Sequence, residues 1–160
     1  MKIDDTDKKI LEILQESSNI TNSQLASEIG ISPPGMLDRV KRLENSGIIR
    51  KYVALVNNEK IGKGTIAYVS VTLNAHDPEV VDLFKKRINE WSEVLECYHI
   101  AGEEDFILKI ILKDIKAYEK FVVEKLNHLP KINKIKTTFV LSTVKHDTRI
   151  KINPGTFNGD

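Results

Sequence analysis

The sequence holds a single cysteine, Cys97, in 160 residues. A lone cysteine excludes an intramolecular disulfide and any multi-cysteine metal site. Its neighbours Leu95, Tyr98 and Ile100 suit a small buried hydrophobe better than a reactive thiol. No uninterrupted apolar run is long enough to cross a bilayer, and the N-terminus lacks a signal-peptide pattern. A cytoplasmic location with no membrane partner is therefore expected. The four histidines, His76, His99, His128 and His146, are scattered without metal-ligand spacing. No metal site, cofactor or catalytic set is expected. Charge of one sign is also lacking: 24 Lys and Arg against 23 Asp and Glu leave a net charge of +1, so no global basic excess announces nucleic acid.

What is present is well punctuated. Thr21 and Gln24 have the spacing of a capping box, with Ile20 and Leu25 placed to staple over it. Gly30 can end that helix, Ser32 can cap the next, and Pro33 stands at its first position, where a missing N–H costs nothing. Gly47 closes it, with Leu43 and Ile48 as the accompanying apolar pair. Residues 4–16 supply a preceding helix that Asp4 or Asp5 can cap. Three helices over about 4–16, 22–29 and 33–46 can share a core of Ile10, Leu14, Leu25, Ala26, Ile29, Met36, Val40 and Leu43. Two capped helices joined at a glycine resemble a helix-turn-helix, although an ordinary helical hairpin would share these features.

The local charge pattern favours the first reading. Residues 1–38 carry three lysines against seven carboxylates, a net −4; residues 39–51 carry five cations against Glu44 alone, a net +4. Positive charge gathered along one helix is what phosphate contact requires. With Met36, Val40 and Leu43 turned inward, Pro34, Asp38, Lys41, Arg42 and Asn45 face outward, flanked by Gly35 and Arg39. Ser32, Pro34, Gly35 and Asp38 are candidates for base edges, and Arg39 and Arg42 for bases or phosphates; Lys41 shares their face. Ser23 at a helix N-terminus and Lys51 beyond the second helix can meet the backbone. Arg39 has an alternative as a salt bridge that orients the helix.

Ile49–Asn57 then reads as a strand, and Gly62-Lys63-Gly64 as a break. Beyond it lie strand Thr65–Leu73, a helix opened by Asp77-Pro78, strands Val94–Ile100 and Phe106–Leu112, a helix capped by Asp114 and stopped by Pro130, and strand Ile132–Val144. The order β-α-β-β-α-β is the ferredoxin-like split pattern. It puts both helices on one face of a four-stranded antiparallel sheet. Strands apolar on both faces, such as FILKIIL, imply that a second copy covers the other face. The tail can add a short strand at Arg149–Ile152, and Pro154–Gly159 reads as frayed.

Asp7-Lys8-Lys9-Ile10-Leu11, Leu25-Ala26, Ile29-Gly30-Ile31-Ser32, Asp38-Arg39-Val40-Lys41-Arg42-Leu43-Glu44 with Gly47-Ile48-Ile49, Gly102-Glu103-Glu104-Asp105 with Phe106-Ile107-Leu108, and Leu129-Pro130 with Ile132, Thr137 and Val144-Lys145 occur in this order. Together they make the chain resemble the leucine-responsive/asparagine-responsive (Lrp/AsnC, feast/famine) transcriptional regulators, from Ile3 to about Ile152. The resemblance implies an α+β protein: an N-terminal (winged) helix-turn-helix domain joined by a hinge strand to a βαββαβ ferredoxin-like domain of the RAM, ACT-like kind. The divisions expected are 1–61 for DNA binding, 62–152 for effector binding and oligomerisation, and 153–160 as a flexible tail. It implies double-stranded DNA as partner, with the third helix in the major groove, and a homodimer building a higher oligomer such as an octamer. It also implies an amino acid or similar metabolite bound between dimers. A zwitterion needs acceptors for its ammonium and N–H groups for its carboxylate, and Gly102, Glu103, Glu104 and Asp105 offer both. The last long strand would lie opposite, at Thr137, Thr138 and Phe139. Two alternatives remain at this level: an effector-independent architectural DNA binder, and a tetrapyrrole decarboxylase of the same architecture, for which only His99 is well placed.

Overall fold

Asp4 stands one residue before the first helix, and its carboxylate accepts the N–H of Asp7 while the Asp7 side chain accepts the N–H of Asp4. That reciprocal pair fixes the start of α1, Asp5–Glu16, in a computed structural model that describes residues 3–74 and 77–152. The next helix, α2, is Asn22–Ile29. It opens on the expected capping box, Thr21 with Gln24, and ends at Gly30, whose φ of +83° is the left-handed geometry that glycine takes without cost. Ser32 then caps α3, Pro33–Asn45. Ile10, Leu11, Leu25, Ala26, Met36, Val40 and Leu43 form the shared core, with Leu14 and Ile29 packed at its margin.

The contacts group the described residues of Met1–Leu55 and Lys145–Asp160 into one unit and Val56–Val144 into another. This differs from the expected division at residue 61, and above all in placing residues 145–152 with the helices. Ile152 packs on the helical core. The backbone of Ile150 is held at both ends by Gln15, whose Oε1 accepts its N–H at 2.7 Å and whose Nε2 donates to its carbonyl at 3.1 Å. Arg149 pairs with Glu16. The strand expected at Arg149–Ile152 is absent because a side chain, not a neighbouring strand, takes up its hydrogen bonds. Pro154–Gly159 lies outside the described residues.

The hinge strand expected over 49–57 is also absent, since among the described residues nothing forms a ladder with it. Tyr52, Val53, Leu55 and Val56, which alternate in sequence, are all exposed. Alternation alone makes no strand without a neighbour to receive the backbone groups.

The second unit is a four-stranded antiparallel sheet of β1, Thr65–Leu73; β2, Val94–His99; β3, Phe106–Leu112; and β4, Ile132–Phe139, in the order β2-β3-β1-β4. Helices α4, Pro78–Asn89, and α5, Ile115–Glu124, bury Phe84, Ile88, Tyr118 and Phe121 in one cluster. Its sheet wall is Ala67, Val69, Val71 and Leu73 of β1 and Phe106, Leu108, Ile110 and Leu112 of β3. Register makes the same face of β4 run through Ile135, Thr137 and Phe139, opposite Val71, Val69 and Ala67.

The other face is mixed: Tyr68 pairs with Lys109, Ser70 with Ile107, Glu96 with Lys109, and Tyr98 with Ile107. A Lys109–Glu96 ion pair of 2.8 Å lies across it. Three further expectations change. Strand β4 stops at Phe139 and not Val144, leaving Leu141 and Val144 exposed. Helix α5 ends at Glu124, and a short tight helix, Leu126–His128, carries Leu126 into the core. Cys97 is exposed on the edge strand β2, beyond which no further strand pairs among the described residues.

Candidate functional site

Burying Met36, Val40 and Leu43 turns Pro34, Asp38, Lys41 and Asn45 of α3 to the surface, as the 3.6-residue repeat requires. Ser32 is exposed and its hydroxyl accepts the Gly35 N–H at 3.3 Å. A Cβ on Gly35 would sit 3.1 Å from that hydroxyl, so alanine there would press on the cap. Ser23 at the start of α2 and Lys51 beyond α3 are both exposed.

Arg39 and Arg42, candidates for bases or phosphates, each also carry an ion pair inside the unit. Both are turned toward α1, where Asp7 is fully buried. Nη2 of Arg42 lies 2.7 and 2.9 Å from the two carboxylate oxygens of Asp7, and Nη1 of Arg39 lies 2.8 Å from one of them. Arg39 also reaches Asp4 at 2.7 Å. The alternative role for Arg39, a salt bridge that orients α3, is therefore formed, and Arg42 shares it. A carboxylate removed from water must be paired in this way to be tolerable. The Asp7 N–H, then Arg39, working against desolvation, hold the Asp4 carboxyl below its ordinary pKa; Asp4 and Asp7 in turn push that of Arg39 up. Sequence reasoning missed Asp4 and Asp7 as members of this cluster. Asp4 was legible as a cap candidate, but the arginines that pair with Asp4 and Asp7 lie more than 30 residues away. Lys41 has no ion-pair partner among the described residues and is the cation left on the outward face of α3.

In the second unit, the loop Gly102–Asp105 lies at the end of the sheet where β1 finishes. Asp105 is built into the backbone there. Its carboxylate accepts the Leu73 N–H at 2.7 Å, its N–H donates to Val71, and its carbonyl accepts the Ile100 N–H. Glu104 reaches across to Lys136 of β4 at 3.9 Å, and Glu103 is exposed. Gly102 is exposed with open space around its missing Cβ.

Of the three β4 candidates, Thr138 faces away from the helices, opposite Tyr68. Thr137 and Phe139 face the helix layer, where Tyr118 hydrogen-bonds to Thr137 and stacks edge-on to Phe139 with centroids 5.1 Å apart. The structure thus brings Glu104 to β4 but splits Thr137, Thr138 and Phe139 between two faces. Two open clefts of this unit, one along α5 and one lined by Asn74, Asn127, Lys131 and Asn133, include none of these residues. His99 stacks on Phe106 with centroids 4.7 Å apart, and His76 lies outside the described residues.

Comparison with known proteins matches both units. Residues 3–50 fit the family described as winged helix-turn-helix DNA-binding, and residues 66–150 the Lrp/AsnC ligand binding domain. The chain is similar to the transcriptional regulator AzlB of Bacillus subtilis, with 37% identity over 94% of this chain and 96% of the relative. It is 35% identical to the leucine-responsive regulatory protein of Escherichia coli, over 94% and 92% of the two chains. Among solved structures, a transcriptional regulator of Neisseria meningitidis in complex with L-Met superposes with a TM-score of 0.90 and 34% identity, over 95% of this chain and 98% of the other.

Proposed function

Because the chain belongs to the Lrp/AsnC family of DNA-binding transcriptional regulators, we propose that α3 enters the major groove by its Pro34–Asp38–Lys41 face and that an amino acid or related metabolite, bound in the second unit, sets its activity. The observation that carries the first part is the division of α3 itself. One side is committed to the core, one flank to Asp7, and the remaining face is exposed and begins at a capped N-terminus. Recognition helices present such N-terminal residues to base edges. Ser32 and Gly35 lie at that end; Ser23 and Lys51 are placed to meet phosphate, as is the part of Arg42 that Asp7 leaves exposed.

For the effector, Gly102, Glu103 and Glu104 are the contact candidates, with Thr138 from the sheet face. Asp105 shapes the loop that presents them, and Thr137 with Phe139 supports β4 from behind. The L-Met complex of the Neisseria relative supports including methionine among the ligands tested. A ligand controls DNA binding only through unequal affinity for two states. Here those states are assemblies of a homodimer into a higher oligomer, up to an octamer, which differ in how DNA is spanned. The mixed outer face of the sheet, with exposed Tyr68 and Tyr98, supports a second copy as its cover. We place the protein in the cytoplasm and assign it regulation and no enzymatic reaction.

Selection of duplexes from a random-sequence pool, with and without the common amino acids, tests the whole reading. Enrichment that changes with one amino acid is expected. Enrichment indifferent to all of them favours an architectural binder, and no enrichment refutes the DNA assignment. Calorimetry on Glu103→Gln is the cleaner loop test, since Asp105→Ala also removes a backbone anchor of β1.

A further inference from the structure

Across the three helices of the N-terminal unit, Leu37 is the one large apolar side chain that is exposed among the described residues, at 39%. A single surface leucine is ordinary, so exposure alone carries nothing. Its position adds the argument. Leu37 stands one turn after Pro34 and one turn before Lys41, in the N-terminal half of α3 and beside Asp38. That half is the part of a recognition helix that reaches base edges.

The two arginines of α3, the side chains best shaped to read guanine, are meanwhile occupied, and Lys41, one turn beyond Leu37, is the cation left free among the described residues of that helix. Arginine reads guanine through a free guanidinium fork, but Arg39 and Arg42 spend nitrogens on Asp4 and Asp7. The first two turns of the outward side therefore offer the Pro34 ring, a bare Gly35 that admits close approach, the Leu37 isobutyl group and the Asp38 carboxylate. An apolar side chain has one complement in the major groove, the C5-methyl of thymine.

We propose that Leu37, supported by Pro34, is a specificity-determining residue that reads thymine methyl groups in the operator. The inference rests on α3 being the helix that contacts DNA. It makes operator preference depend in part on a methyl group, in keeping with the commitment of both α3 arginines to the α1 carboxylates.

The test uses the full chain and the strongest duplex recovered from the random pool, remade with uracil replacing thymine one position at a time. Uracil pairs identically and lacks only the methyl. At a thymine in each half-site, wild-type protein is expected to bind the uracil duplex about four-fold more weakly, the factor associated with burying one methyl-sized group. Leu37→Ala binds the two duplexes alike, and Leu37→Met, which keeps an apolar contact, retains the difference. Thermal melts confirm that both variants fold. Indifference of the wild type to every uracil, or a difference that survives in Leu37→Ala, overturns the inference while leaving the DNA assignment intact. Failure to recover any duplex overturns both.

Discussion

Asp7 sets the terms for the two arginines on α3. It is fully buried, and Arg39 and Arg42 supply the charge that makes its burial tolerable. Removing both arginines leaves a carboxylate in the core with the Asp4 N–H as its one remaining hydrogen-bond donor among the described residues. The double variant Arg39→Ala/Arg42→Ala is therefore expected to lose about 3–5 kcal/mol, the cost of breaking a buried pair, and to melt the N-terminal unit at temperatures where wild type is folded. Circular dichroism during denaturation checks this. Loss of DNA affinity in Arg42→Ala alone is thus no proof of phosphate contact until the fold is shown intact; a smaller salt slope in a folded variant is.

Proton linkage gives two further signs at this scale. The folded pKa of Asp4 lies below its ordinary value, so its stabilising contribution is complete above about pH 4 and is lost as pH falls through the lowered value. Asp4→Asn is expected to flatten that acid limb. Tyr52 is the mirror case. The side chain stays partly exposed, yet desolvation of its hydroxyl, then its hydrogen bond to Glu44 at 2.9 Å, pushes it up to about 12. Its contribution is complete below the ordinary tyrosine value near 10 and fades as pH rises toward 12. In an ultraviolet pH titration, Tyr52→Phe should delete one phenol from the last-ionising part of the curve.

At the scale of elements, the helix ends of the N-terminal unit were legible because each is written locally. Thr21 with Gln24, Ser32 with Pro33, and Gly30 after Ile29 lie within a few residues of the groups they satisfy. Thr21→Ala is expected to cost about 1 kcal/mol, as loss of a cap usually does. Gly30→Ala, forced into φ of +83°, should cost about 1–2 kcal/mol. Urea titration of each variant measures both.

Pairing between distant residues was not legible. The charge step at Arg39 was visible, yet a sum of charges cannot say that Asp4 and Asp7, on another helix, take up those cations. The alternation of Tyr52–Val56 was visible too, but a strand exists only beside a second strand. In the second unit, sequence placed Gly102–Asp105 correctly as a loop between β2 and β3. It could not show that Asp105 serves the backbone of β1, or that neighbouring Thr137 and Thr138 point to opposite faces. Tyr118→Phe, which removes the hydrogen bond to Thr137, is expected to destabilise that unit by about 1 kcal/mol.

At the scale of the molecule, the helical unit draws on both sides of the chain. Truncation after Lys145 removes Arg149, Ile150 and Ile152 from α1 and its core. The truncated protein should show a lower melting temperature for the helical unit while the β-sheet signal of the other unit persists; a melt identical to wild type would refute a structural role for this segment.

The return of Ile150 to Gln15 has a consequence for how the protein is made. A ribosome releases α1, α2 and α3 early, but the backbone that Gln15 holds and the Ile152 side chain emerge only after β4. The sheet unit is then a contiguous insertion, translated in full before the helical unit has its last piece. The order of synthesis runs opposite to the order of completion: the portion translated first is the portion finished last.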